Sequence, residues 1–295
     1  MCKLLGYSKQ AYYKREDKAF EKQLRKAQVK AMVMDVRCKL PRLGTRKVYH
    51  LIKDDIQSQG IKTGRDKLFD LLRAEGLLIG KRRKYTKTTN SKHWMRKYPN
   101  LIKDLKLTKP EQLWVADITY LQTKQGHDYL HLITDAYSKQ IMGYEHADNL
   151  KTSSTVKALQ MALDNRQYSH GLIHHSDRGL QYCSYDYTNL LKQNNIGISM
   201  TEQYDPYENA IAERINGILK DEFGLDAVFE NNKILHDQLQ ESIKLYNSLR
   251  PHLSVDMLTP NQAHKQQKVK LKKWSRKNHQ KHAFDGLNIN TNFIN

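Results

Sequence analysis

The chain has 295 residues, enough for two domains or one large one with a buried core, and 50 Lys+Arg against 31 Asp+Glu give it a formal charge of +19. No apolar run approaches the ~18 residues of a membrane helix, and the amino-terminal MCKLLGYSKQ lacks the apolar stretch of a secretory signal. Three widely spaced cysteines (Cys2, Cys38, Cys183) without a CxxC pair exclude a disulfide framework and a four-cysteine zinc site, which leaves a soluble, cytoplasmic protein with an anionic partner and no membrane.

The charge is segregated. Residues 1–110 carry 30 Lys+Arg and 10 Asp+Glu, residues 111–265 carry 13 and 20, and residues 266–295 carry 7 and 1. Basic ends of this kind are merely solvated faces or, the reading this sharp segregation favours, hold polyphosphate, whereas an acidic middle suits a cation such as a divalent metal. The expected organisation is a helical DNA-binding region over 1–79, a basic linker over 80–110, a catalytic core over 111–265 and a basic tail over 266–295.

At the front, SKQAYYKRED after Gly6 predicts a short helical element. Val48, Leu51, Ile52 and Ile56 fall at helical spacing before a stop at Gly60. A second helix starts at Thr63, an N-cap with Asp66 three residues on, and runs through Leu68, Leu71 and Leu72 to Gly76. Two amphipathic helices over 44–76 around a Gly-containing turn resemble a helix-turn-helix, although plain core hairpins share the pattern. Residues 80–97 then carry eight Lys/Arg and no acid, with Tyr85, His93 and Trp94 interleaved. Laid along phosphates such a run gains counterion release, so Lys81, Arg82, Arg83 and Lys84 are candidate DNA contacts as well as parts of a solvated linker.

Strand character over 113–121 surrounds one carboxylate, Asp117, with large apolar residues, where a lone Asp is costly unless paired or bound to metal. Strand-like runs over 129–137 and 140–146 suggest an antiparallel meander, followed by a helix over 153–165. GLIHHSD is a short apolar run ending in Asp177; 184–195 reads as a helix, 196–200 as a strand and 205–223 as a loop entering a helix. On that last helix Ile211, Ile215, Ile218 and Leu219 form one apolar stripe, with Glu213 and Lys220 together on the opposite face, which taken alone reads as a solvent-facing pair and beside two further carboxylates as part of a site. The order β-β-β-α-β-α-β-α, with acids on the first strand, after the fourth and on the closing helix, is that of a ribonuclease H-like α/β core, a mixed five-stranded sheet flanked by helices. Oxygen-only ligands without a Cys/His cluster favour magnesium or manganese over zinc.

Four motifs in order carry a family resemblance: VADITYL around Asp117, HSDRGLQY around Asp177, YENAIAERINGILKDE around Glu213 and the closing YNSLRPHLSVDMLTPNQA over 246–263. They resemble those of the DDE transposases of the IS-three group of bacterial insertion sequences, relatives of retroviral integrases. Between Asp177 and Glu213 lie 35 residues, matching the group's DD(35)E interval, and 59 separate Asp117 from Asp177. The resemblance covers roughly 40–264, and the departures, Arg214 and Cys183, alter no ligand.

The resemblance implies that Asp117, Asp177 and Glu213 hold two Mg²⁺ or Mn²⁺ ions. The ions activate water to nick at the element's ends, and the freed 3′-hydroxyl attacks a phosphodiester with no covalent protein–DNA intermediate. It makes Lys220 a DNA-end contact, double-stranded DNA (terminal repeats and target) the substrate, the nucleoid the place of action, and an upstream-frame segment a fusion partner. Joining two ends in one complex requires a homo-oligomer.

Several residues keep two readings. Tyr207 and Asn209 orient DNA or a ligand carboxylate, or cap the last helix. Of His174 and His175, one packs in the core and the other, His175, supports the site. Arg250 and His252 contact DNA or fix their loop against the core. The competing functions are a catalytically silent DNA-binding regulator, which has no need of three ligands, and a hydrolase of RNA, against which the basic front speaks.

Overall fold

The computed structural model describes residue 6 and residues 8–80, 94–202 and 209–271. In place of a short amino-terminal element stands one 31-residue helix, α1 (Lys9–Lys39), capped by the Ser8 hydroxyl, which accepts from Ala11 N at 3.1 Å. Nothing between Ser8 and Pro41 breaks a helix, and the segment is rich in Ala, Lys, Gln, Arg and Glu. Its first half is exposed, so no apolar stripe betrays its length; only Val29, Val33 and Arg37 are buried.

The two helices expected over 44–76 are α2 (Thr45–Ser58) and α3 (Arg65–Ala74). Gly60 ends the first at φ +67°, where a side chain would be strained. The N-cap of α3 is Gly64, with no side-chain bond, so Thr63 is not the cap the sequence suggested. Val48, Ile52, Ile56, Leu68 and Leu72 bury their side chains against Val29 and Val33.

The core begins with β1 (Leu113–Thr123), β2 (Gly126–Asp135) and β3 (Ile141–Ala147), an antiparallel meander in which Asp117 pairs with Leu132. Then follow α4 (Thr152–Asp164), β4 (Ile173–Ser176), α5 (Leu180–Cys183), α6 (Tyr185–Gln193) and β5 (Gly197–Met200). The chain continues through α7 (Ala210–Phe223), the two-residue β6 (Val228–Phe229), α8 (Asn232–Ser248) and α9 (Pro260–His264). The strand order is β3-β2-β1-β4-β5, with β1, β4 and β5 parallel, and β6 joins the far end of β1. This is the mixed, helix-flanked sheet of the ribonuclease H-like fold, with one short strand more than the five expected.

Side chains alternate across β1, so its two faces meet different helices. Trp114 and Ala116 pack with Ala158, Leu159 and Ala162 of α4 and Tyr187 and Leu191 of α6. There Gly143 lets α4 lie directly on β3, because a Cβ would come within 2.1 Å of Ala158 O. Leu121, on the other face, joins Ile215, Ile218 and Leu219 of α7 and Leu239 and Ile243 of α8. That cluster is continuous with the apolar residues of α1–α3, so the helical front is packed on the α7–α8 side of the sheet. Among the described residues no helix is long and apolar enough to cross a membrane.

A buried polar knot ties the carboxyl-terminal segment to the start of β1. His264 Nε2 lies 3.0 Å from Glu111 Oε1, its Nδ1 lies 3.0 Å from Ser138 Oγ, and Ser138 Oγ donates to Asp135 at 2.6 Å. Burial lowers the pKa of His264, but its hydrogen bonds to Asp135 and Glu111 and their charges outweigh that and raise it to about 9. A folded pKa above the ordinary 6.5 stabilises fully below pH 6.5, and that contribution disappears as pH rises through about 9. In urea melts, the gap in unfolding free energy between wild type and His264→Asn should narrow by up to about 3 kcal/mol from acidic to strongly basic pH. A constant gap would mean that His264 has the same pKa in the folded and unfolded chains.

Candidate active site

Asp117 sits in mid-β1, half-buried, on the side chain face that meets α7. Its Oδ1 accepts from Ile118 N at 3.0 Å and its Oδ2 from Asn216 Nδ2 at 2.8 Å. β4 runs parallel beside β1, with Val115 paired to His175. Carrying that register on by two residues brings Asp177, just past the carboxyl end of β4, level with Asp117 in mid-β1. Asp177 Oδ1 accepts from Gly179 N at 2.9 Å, a turn in which a Cβ on residue 179 would crowd the same oxygen at 2.9 Å.

The third carboxylate comes from α7. Glu213 lies in its first turn and is exposed, and its backbone N donates to Asn209 O at 3.2 Å. Asn209 occupies the N-cap position without bonding the helix through its side chain; its Nδ2 instead donates to Ala116 O at 2.9 Å, next to Asp117. Neither capping nor ligand contact is therefore its described role: it pins the start of α7 to β1. Glu213, Asn216 and Lys220 fall at i, i+3 and i+7, one stripe of the helix, and the Asn216 bond turns that stripe toward Asp117.

The electrostatics tie these groups together. Burial first, then the charge of Asp177 and more weakly that of Glu213, push the Asp117 carboxyl up to about 7 against the opposing hydrogen bonds from Asn216 and Ile118. Lys220 is half-buried and lowered by desolvation, while the charges of Asp117 and Asp226 draw it back up. Among the described residues no three carboxylate, imidazole or thiol side chains already converge at the spacing of one bound ion. The donors are nevertheless all hard oxygens, and the half-buried Asp117 faces two like charges with neutral hydrogen-bond donors on its own oxygens. That set fits Mg²⁺ or Mn²⁺.

The other expected residues divide. His174 and His175 are both fully buried: His174 Nε2 lies 2.8 Å from Tyr187 OH, and His175 Nδ1 lies 2.8 Å from Ser199 Oγ. Burial, with the charge of His175 second, takes His174 down to about 3, so it is neutral. Lys81, Arg82, Arg83, Lys84 and Tyr207 lie outside the described residues.

Arg250 is turned inward, 1% exposed, and its guanidinium grips Glu222 through Nε–Oε2 at 2.8 Å and Nη2–Oε1 at 2.6 Å. Its Nη1 meets His252 Nε2 at 2.7 Å, and Lys47 of α2 adds a third cationic contact to Glu222 at 3.2 Å. The DNA contact expected of Arg250 is thereby corrected, because the group is committed to a buried carboxylate. Two contributors escaped the sequence reading. Asn216 had a signal, an amide on the same helix stripe as Glu213 and Lys220; Glu222 looked like one more surface acid.

Two family models described as integrase core domain match residues 108–206 and 194–260. Over 264 residues the chain is 34% identical to the insertion element IS600 31 kDa protein of Shigella sonnei, covering 88% of this chain and 96% of that one. It is 32% identical over 213 residues to the transposase InsF for insertion sequence IS3A of Escherichia coli (strain K12), covering 72% and 74%. The chain belongs to the IS3-group transposases. Membership makes it a DNA transposase with an integrase-type core, an enzyme of the polynucleotidyl transferase type. Among solved structures, the catalytic core domain of HTLV-2 integrase in complex with magnesium aligns with 53% of this transposase at 20% identity and a TM-score of 0.44.

Removing one partner of a buried ion pair leaves an uncompensated charge. Arg250→Met should therefore lower the unfolding free energy by about 3–5 kcal/mol, and adding Glu222→Gln should restore part of it. Denaturant melts of the single and double variants test this. An Arg250→Met protein as stable as wild type would return Arg250 to the surface and to DNA.

Proposed function

We propose that the chain cuts and rejoins DNA strands at the ends of an insertion sequence, with Asp117, Asp177 and Glu213 as its catalytic carboxylates and two divalent ions, Mg²⁺ or Mn²⁺, held between them. The observation that carries this reading is geometric: the β1–β4 register brings Asp177 level with Asp117, and Asn216, one turn on from Glu213 along α7, donates to the Asp117 carboxylate; the raised pKa of Asp117 agrees with it. Such an arrangement is costly for folding and useful only when a cation answers it. When bound, the two ions supply Lewis-acid charge to the attacking and leaving oxygens of an in-line phosphoryl displacement.

The chain's own residues do the rest. Asn216 and the Ile118 N–H orient the Asp117 carboxylate, and the Gly179 N–H orients that of Asp177. Glu213 is exposed to the incoming DNA on a helix whose start Asn209 anchors to the same strand. Lys220 carries positive charge at the edge of the acids, suited to a phosphate of the DNA end. Cutting and joining are one displacement with different nucleophiles, water in the first and a DNA 3′-hydroxyl in the second, so no side chain becomes covalently attached. The helices over 1–79 and the basic linker over 80–110, with Lys81, Arg82, Arg83 and Lys84, hold duplex DNA. Two ends joined in one complex call for at least two copies of the chain.

Labelled duplexes from the DNA flanking this gene, incubated with Mg²⁺ or Mn²⁺, test the reading. Asp177→Asn and Glu213→Gln should each lower formation of 3′-hydroxyl nicks by on the order of 10³-fold or more while duplex binding persists. Nicking at the wild-type rate in Glu213→Gln would remove that residue from the chemistry.

A further inference from the structure

α7 carries two neighbouring stripes. Glu213, Asn216 and Lys220 face the acids; Arg214, Gly217 and Asp221, each one residue on, line a cleft of about 620 Å³ between α7 and the first turn of α2. The opposite wall is Arg46 and Lys47, and the chain leaves the cleft through Leu78, Ile79 and Gly80 toward the basic run. The two walls are tied: Lys47 Nζ meets Glu222 Oε1 at 3.2 Å, Arg42 N donates to Glu222 O at 3.2 Å, and Arg42 Nη2 donates to Gly80 O at 3.0 Å.

The charge balance of the cleft favours an anion. Its lining contains Arg42, Arg46, Lys47 and Arg214 against Asp221 and Glu222, and Glu222 is already consumed by Arg250 and Lys47. Burial, then the charge of Arg250, push Lys47 down to about 8 despite Glu222, with Arg214 adding to the same effect. Arg46 and Arg214 are exposed, and among the described residues neither makes a hydrogen bond or ion pair. Between these cations, Phe69, Leu78 and Ile79 offer apolar surface. The volume lies in the range that encloses a ligand rather than a duplex.

We infer that this cleft seats one strand of the DNA end, with Arg46 and Arg214 on its phosphates and the apolar surface under its sugars and bases, one helix face away from Glu213. The inference rests on the DNA strand-transfer reading and adds to it the path by which a strand held by the helical front reaches the acids. Backbone phosphates bridged by guanidinium groups from both walls would fix the strand relative to α7.

The test measures the salt dependence of binding to a labelled duplex carrying the DNA flanking this gene, for wild type, Arg46→Ala, Arg214→Ala, the double variant and Lys157→Ala. Lys157 is an exposed cation of α4, on the opposite face of the sheet. Each lost phosphate contact should flatten the slope of log K against log salt by about one, so the double variant should lose roughly two and Lys157→Ala none. Thermal unfolding of the arginine variants should match wild type, since neither side chain is bonded. A wild-type slope in the double variant overturns the cleft assignment, and so does an equal loss in Lys157→Ala, which would signify general charge. Wild type that binds no duplex at all would overturn the DNA reading itself, and the two failures are thus told apart.

Discussion

The interaction on which the site depends is the repulsion between Asp117 and the two acids around it. A carboxylate in mid-strand among apolar residues is stable only if something positive answers it, and Asn216 and the Ile118 N–H are neutral donors that orient the group without neutralising it. Strand order does the gathering. Because β4 lies parallel beside β1, a residue just past its end arrives next to mid-β1, and Asn216 of α7, one turn on from Glu213, bonds Asp117 there.

α7 works as a rigid bar held at three points along its length. Asn209 fixes its start to β1, Asn216 its middle to Asp117, and Glu222 its last turn to Arg250 and Lys47. The first two hold acid against acid. The third joins α7 to the helical front, whose apolar residues share a cluster with α7 and α8. The same bar therefore carries both the placement of Glu213 and the packing of the helical front, which is why an ion pair far along the helix from Glu213 matters to the architecture.

Much of this was legible in the sequence because it is local and periodic. The runs around Asp117 and after Gly171, and the stripe of Ile211, Ile215, Ile218 and Leu219, announce strand and helix by spacing alone. The length of α1 was not legible, since an exposed helix needs no apolar stripe and a run of good helix formers merely permits it. α8 went unread although Leu235, Leu239, Ile243 and Tyr246 follow helical spacing. Arg250 and Glu222 could not be paired from sequence, because the two meet only after α8 has folded back along α7. Thr63 failed as a cap for a smaller reason: Gly64 follows it and takes the extended N-cap conformation itself.

The most direct measurement of the central claim is thermal unfolding of wild type and Asp117→Asn across a titration of Mn²⁺ at mildly basic pH. Without metal, Asp117→Asn should unfold at a higher temperature than wild type, because the substitution removes a half-buried charge that faces like charges. Mn²⁺ should then raise the wild-type transition, by about 2.7 kcal/mol at one hundred times the dissociation constant, and leave the variant unmoved. A wild-type protein indifferent to Mn²⁺, or a variant that rises in parallel with it, would contradict the assignment of these carboxylates to a cation.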